Sequence, residues 1–337
     1  MLNLIDDMCA AAATMGRDAA IARCLKIQRE HLEASRLWPY RPLAAALGVA
    51  YSTAIVMAGV IARVLGRHRP DDLIRRLAHF YCQVPEMILH KGIELRSLTG
   101  RQFAGRGLDL GCGGGIVGDV LIEEAGLFDL HGVDISPVDE GTILSHGYTG
   151  YAVADMQSLP HDNGSFDFIV SICVIEHVTN LDAALSEAAR VLRAGGRFYF
   201  TTPAPNVQES LVVYRLLDRI GLHRQAKRFK EFRDIMAMHH NCLSAEQWQE
   251  RLQGAGFTGV EVEPIFTRRQ LLAYDVMNFQ VYFLKLYFYE HLNRWVSHSP
   301  RYRRLMEWAA AEICANVTAE VATVTNATHF SIACRKV

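Results

Sequence analysis

Between residues 107 and 202, short apolar runs alternate with stretches of helical periodicity, and glycine or aspartate punctuates the changes. Residues 107–110 read as a first buried strand. A glycine-rich turn over 111–115 follows, and a helix starts at Ile116. Residues 128–133 read as a second strand ending at Asp134, and 151–154 as a third ending at Asp155-Met156. Residues 166–173 form a fourth run, nearly all apolar, as expected of a strand covered on both faces. A helix over 180–192 stops at Ala194-Gly195-Gly196. Residues 197–201 are the fifth strand, closed by Pro203. Strand and helix in alternation predict an α/β fold with a doubly wound, mostly parallel sheet.

The flanks read differently. Residues 1–37 carry Leu4, Ile5, Met8, Ile21, Leu25 and Leu32 at helical spacing where they cluster. Trp38-Pro39-Tyr40-Arg41-Pro42 is a break. Residues 43–62 then run for 20 positions without a charge, between Arg41 and Arg63. That length could cross a bilayer. Its Ala and Gly content is high, however, and arginines stand on both sides, so the charge asymmetry of a span is weak. A buried or membrane-contacting helix is the preferred reading. Pro70-Asp71-Asp72 marks another helix start, and 85–98 a further helix ended by Thr99-Gly100. The division expected is a helical N-terminal region over 1–98, then a sheet domain over 99–337 with inserts at 203–242 and 265–321.

Composition narrows the classes. The chain has 337 residues, half of them hydrophobic, which argues for a sizeable core and against global disorder. A formal net charge of −1 makes a nucleic-acid-coating role unexpected. The eight cysteines are scattered without a C-x-x-C pair, which predicts a reduced, cytoplasmic protein with neither a disulfide framework nor a metal site. The first residues lack a signal-peptide layout.

The chemistry gathers at the strand ends. Asp109, Asp134 and Asp155 sit at or beside the carboxyl ends of three strands, the edge where such sheets bind ligands. Asp134 lies 19 residues beyond Gly115, where an acid can accept hydrogen bonds from a ribose diol. Aspartate also favours turns, but three in this order beside a glycine loop point to a nucleoside. Gly113-Gly114-Gly115-Ile116-Val117-Gly118 fits the dinucleotide pattern G-x-G-x-x-G, so a nicotinamide oxidoreductase is the alternative. Asp109 opposes it: a carboxylate two residues before the first glycine repels a pyrophosphate and attracts an ammonium or sulfonium.

Asp109-Leu110-Gly111-Cys112-Gly113-Gly114-Gly115 resembles the first motif of class I S-adenosylmethionine-dependent methyltransferases. Val133-Asp134-Ile135-Ser136, Ala154-Asp155-Met156 with Leu159-Pro160, and Ser165 through Ser171 resemble the motifs that follow. Val174-Ile175-Glu176-His177-Val178 and Val191-Leu192-Arg193-Ala194-Gly195-Gly196 complete the set. The ubiquinone-biosynthesis-like branch, type 11, is the most similar group. The resemblance implies a seven-stranded Rossmann-like sheet, with a sixth strand at 259–263 and a last one at 329–333. It also implies S-adenosylmethionine as cofactor. In that frame the backbone of Gly111, Cys112, Gly113 and Gly115 approaches the methionine and ribose part, and Asp109 orients the amino end. Asp134 takes the ribose hydroxyls, Asp155 with the Met156 backbone reads adenine, and Ile135 packs on its face. Cys173 lies beside the methyl group. Cys112 and Cys173 also fit as small loop and core residues.

Methyl transfer to a hydroxyl or ammonium needs the acceptor's proton removed. His177, just past strand four, is the candidate base, and a purely structural histidine is the competing reading. Glu176 reads as structural, and His239-His240 as an acceptor-side or exposed pair. The insert 203–242 interleaves seven Lys/Arg with Leu, Ile and Phe, which fits a solvated basic face or a lid toward an anionic acceptor or a membrane. Residues 279–289 are dense in aromatics, either packed helix or interfacial pocket. Together these additions suggest a small or lipid-linked acceptor, with membrane contact at the cytoplasmic face and oligomerisation both open. A cofactor-binding scaffold without turnover is the third reading.

Overall fold

The computed structural model describes Lys26 and residues 40–337, except the side chains of 40, 41, 43, 44 and 279–293. The expected helix over 1–37 and the aromatic side chains of 279–289 therefore lie outside what is described. The chain divides into two compact units. One takes the sequence up to Gly92 with Gln208–Met238 and Arg268–Glu320; the other takes Ile93–Val207, His239–Thr267 and Val321–Val337. The boundary falls at 92/93 instead of 98, inside one helix. Of the segments read as inserts, 268–320 packs on the N-terminal helices, and 208–238 joins the unit through 268–298.

The second unit holds the sheet. Its strands are β1 (Gly107–Leu110), β2 (Leu130–Asp134), β3 (Gly150–Val153), β4 (Phe166–Ile172), β5 (Leu192–Pro203), β6 (Phe257–Thr267) and β7 (Ala327–Lys336). Their spatial order is β3-β2-β1-β4-β5-β7-β6. The first five pair in parallel, and β7 runs antiparallel between β5 and β6. The doubly wound, mostly parallel sheet expected from the alternation is present. The order reverses between β1 and β4, which opens a crevice at their carboxyl ends.

Local differences have local causes. Phe128 is 79% exposed and precedes β2, because the chain there is still in the turn after the preceding helix. Cys173 has φ +60° and so leaves β4 one residue early. β5 begins at Leu192, directly after its helix, and the glycines sit inside the strand beside a register shift opposite Phe166 and Phe168.

Helices cover the sheet. They are, with the first unit's helices numbered in the same series, α1 (Tyr40–Leu65), α2 (Asp72–Tyr81), α3 (Pro85–Arg96), α4 (Ile116–Ala125), α5 (Glu140–Ser145), α6 (Leu181–Val191), α7 (Val212–Arg219), α8 (His223–Met236), α9 (Ala245–Gly254), α10 (Arg268–His298) and α11 (Pro300–Thr318). α6 starts on Asn180, whose side chain accepts from the Ala183 N–H. α9 starts on a reciprocal Ser244/Gln247 capping box. On one face of the sheet, Leu185, Ala188, Trp248 and Leu252 from α6 and α9 join Ile169, Phe198, Phe200 and Ile332 in a single core. That packing fixes the strands whose ends carry the site.

In the first unit, Asp71 caps α2 by accepting from the Ile74 N–H at 3.0 Å, as Pro70-Asp71-Asp72 predicts. α1 packs Tyr51, Ile55 and Gly59 inward. A Cβ at Gly59 would lie 2.7 Å from Ala309 Cα, so glycine sets how closely α1 and α11 approach.

Candidate active site

β1 is buried along its whole length, and Asp109 within it is only 1% exposed. A buried carboxylate needs partners. Tyr148 supplies one, its hydroxyl donating to Asp109 Oδ2 at 2.6 Å. Burial, and then the Asp109 charge, push the Tyr148 phenol well above its usual pKa, so it stays a neutral donor. Tyr148 lies against Gly118, where any Cβ would collide with the Tyr148 hydroxyl. The last glycine of the apparent dinucleotide pattern is therefore a packing glycine for this tyrosine. Nothing in the spacing of the strands signals Tyr148, because its partner is 39 residues away.

The glycine loop turns sharply after β1. Gly111 has φ +81°, and a side chain there would strike Val174. Gly113 and Gly115 also have positive φ. The loop is tied to β2 by Asp134. Its Oδ2 accepts the Gly113 N–H at 2.8 Å, and its Oδ1 accepts the Ser136 N–H at 2.8 Å. Each carboxylate oxygen has a second lone pair, so Asp134 retains acceptor capacity toward a ligand. Asp155 is held likewise. Gln157 donates from its backbone and its amide to Asp155, at 2.9 to 3.0 Å. The Gln157 side-chain carbonyl in turn accepts from the Asn180 N–H at 3.0 Å, joining the end of β3 to the start of α6.

These parts surround a cleft of about 220 Å³ at the carboxyl edge of the sheet. That is far more than one water, whose share of liquid volume is about 30 Å³. Of the residues expected at the site, Gly111, Asp134, Ile135, Asp155, Met156 and His177 line it. Gln157, Val174, Val178 and Thr179 join them, and of these only Val174 and Val178 fall in a quoted motif. Ile135 is 69% exposed, an apolar side chain held open at the rim. Two carboxylates on one side and apolar Ile135, Ala154, Met156 and Val178 around them suit a nucleoside, with a polar sugar and an apolar ring.

Other expected residues sit behind the cleft wall. Asp109 is buried on Tyr148. Cys112 is buried, with its thiol beside Gly132. Burial, with Asp109 and Asp134 nearby, pushes that thiol far up, so it is not a ready thiolate. Cys173 takes a left-handed conformation, uncommon for a residue with a side chain. Its N–H reaches Thr201 Oγ1 at 3.1 Å, and the Thr201 hydroxyl donates to the buried Glu94 at 2.7 Å.

His177 closes a short 3₁₀ turn, Ile175–His177, after β4. Its Nε2 is 3.8 Å from Oε1 of Glu176, which is fully buried. Burial raises the Glu176 pKa, while the His177 imidazole and the Cys173 thiol pull it the other way. The segment 239–241 clamps this turn. The His240 and Asn241 N–H groups donate to the Glu176 carbonyl at 2.6 and 3.1 Å. The Asn241 amide donates to the Ile175 and Val178 carbonyls at 3.1 and 2.6 Å. The His239 ring lies 5.5 Å from that of His177, tilted by 35°.

Residues 65–262 match the family model described as a methyltransferase domain. The chain is 25% identical over 184 residues to a ubiquinone biosynthesis O-methyltransferase of Bordetella avium, covering 51% of this chain and 71% of that protein. It is 37% identical over 109 residues to a malonyl-[acyl-carrier protein] O-methyltransferase of Salmonella typhimurium, covering 32% of this chain and 42% of that one. Among solved structures it is similar to Haemonchus contortus phosphoethanolamine N-methyltransferase 2 in complex with S-adenosyl-L-methionine. That likeness has 20% identity and a TM-score of 0.41, and covers 73% of this chain and 52% of that chain. The family match makes S-adenosylmethionine the cofactor, in place of a nicotinamide dinucleotide. The chain belongs to the methyltransferase-domain family and is a class I S-adenosylmethionine-dependent methyltransferase.

Proposed function

We propose that the protein methylates an oxygen or nitrogen atom of a small or lipid-linked acceptor, and that His177 takes the acceptor's proton. The observation that carries this reading is one cleft rimmed by Asp134, Asp155 and His177 together. Bound S-adenosylmethionine would supply an electrophilic methyl group on a positive sulfonium. Asp134 would accept from the ribose hydroxyls through its remaining lone pairs, and Gln157 would keep Asp155 oriented toward the adenine edge. Ile135 would cover the ring. Gly111 would let the backbone come close where a side chain cannot fit. Asp109, locked on Tyr148, would act through the shape and field of the loop.

Bound cofactor would give its methyl group to the acceptor atom as the sulfur–methyl bond breaks, and would be left as a neutral thioether. His177 takes the proton from the acceptor, and Glu176 lies behind it, 3.8 Å from its Nε2. His239 lies tilted beside that ring and would form part of the acceptor side. The names of the two curated relatives, both O-methyltransferases, support an oxygen acceptor on a quinone-like or carrier-linked molecule.

Incubation with methyl-labelled cofactor and with soluble and lipid extracts tests the reading. Wild type should label a product, and His177→Gln should lower the rate by about 10² to 10⁴ while cofactor affinity stays unchanged. Equal rates in His177→Gln would remove it as the base. Cofactor binding with no labelled product in any extract would favour the non-catalytic scaffold.

A further inference from the structure

The first unit exposes an apolar face that its own core does not use. On α1, Gly48, Tyr51, Ser52, Ile55 and Gly59 turn inward. The opposite side carries Val49, Met57, Val60, Ile61, Val64 and Leu65, all exposed, with Val64 at 72% and Leu65 at 76%. Alanines and Thr53 fill the positions between them, and Pro42–Ala62 holds no charge. A helix on the surface of a soluble unit normally sets charged residues there. Contiguous exposed apolar surface of this kind marks an interaction site.

Charge sits at one end of that face. Residues 63–76 contain five arginines against two aspartates, and Arg63, Arg67, Arg69 and Arg75 are exposed. The same unit repeats the combination at the turn between α7 and α8. Leu216, Ile220 and Leu222 are exposed there, among the exposed Arg215, Arg219 and Arg224. Apolar side chains ringed by arginine match a surface that is apolar beneath and anionic on top.

We infer that the first unit docks on an anionic lipid surface, with α1 lying in the plane of the interface and the α7–α8 turn inserted beside the headgroups. The partner of α1 decides against a span. α1 packs on α11, where Ser52 bonds to the Tyr302 hydroxyl and Glu312, 3% exposed, holds Arg63 and Arg69 at 3.2 and 3.5 Å. α11 also carries Arg301, Arg303, Arg304 and Glu307. A spanning α1 would draw these charges into hydrocarbon, whereas an in-plane α1 leaves them in water.

The full chain tests this by co-sedimentation with preformed vesicles, one set of phosphatidylcholine and one of equal parts phosphatidylcholine and phosphatidylglycerol. Binding is expected to the mixed vesicles and weakly or not at all to phosphatidylcholine alone. Ile61→Glu with Val64→Glu should weaken binding by about tenfold or more per side chain, and Leu216→Glu with Ile220→Glu should weaken it too. All four positions are exposed, so folding and S-adenosylmethionine affinity should be unchanged. Equal binding to both vesicle types, or binding untouched by the substitutions, would overturn the inference. So would a dimer in solution that the α1 substitutions dissociate, since a second copy would then be the occupant. Membrane-bound protein that resists alkaline carbonate would overturn the in-plane placement.

Discussion

Tyr148 and Asp109 share a buried 2.6 Å hydrogen bond beneath the glycine loop. Losing it leaves the Asp109 carboxylate short of a donor in a place water does not reach. Tyr148→Phe should therefore destabilise the protein by about 1.5–3 kcal/mol, the usual worth of a hydrogen bond to a charged group. Urea unfolding measures it. A change within about 0.5 kcal/mol, the scatter of neutral surface substitutions, would mean the bond contributes little.

The same tyrosine separates two glycines of one loop–helix segment. A Cβ at Gly118 would collide with the Tyr148 hydroxyl, which Asp109 pins in place. Gly118→Ala should cost about 1–3 kcal/mol, more than the gain of up to about 1 kcal/mol in helix propensity. A Cβ at Gly114 would meet nothing within 4 Å, and φ there is not positive. Gly114→Ala should leave the melting temperature nearly unchanged. Thermal unfolding of the two variants side by side reads the contrast, and equal destabilisation would contradict it.

Glu176 gives a pH signature. Burial raises its pKa above the ordinary 4.5 in the folded protein. Between the unfolded and folded values the folded state holds the extra proton, so stability falls as pH rises through that window. Glu176→Gln cannot lose a proton and should not show that fall. The stability difference, variant minus wild type, should therefore grow as pH rises above the ordinary value and level off above the folded one. Urea titrations at a series of pH values would show it, and a flat difference would contradict it.

The frame of the fold and half of the site were legible because they rest on local pattern. β1, the glycine turn and the acid closing β2 lie within one βαβ segment, and glycine there answers to positive φ. Asp134 and Asp155 could be placed on the cleft edge from their positions at strand ends. Tyr148 could not, since its partner is set by tertiary packing; nor could the reach of Gln157 from Asp155 to Asn180, and tyrosine or glutamine in a turn carries no periodic signal. Asp109 was legible within the first strand and Cys112 in the loop after it, but only packing decides that they lie behind the wall. The grouping of 208–238 and 268–320 with the N-terminal helices was likewise hidden, because which faces meet is a long-range property. Charge-free 43–62 was visible as apolar. Which side of it faces solvent depended on α11.

In the proposed reading Asp134 is the residue on which cofactor binding in this cleft depends most, since its carboxylate also secures Gly113 and Ser136. Calorimetry with S-adenosylmethionine on wild type and Asp134→Ala tests this most directly, with circular dichroism confirming that the variant is folded. Saturable one-site binding is expected for wild type, weakened by about ten- to a hundredfold in the variant, as for one or two lost hydrogen bonds to a charged group. No binding by wild type, or equal affinity in a folded Asp134→Ala, would contradict the account.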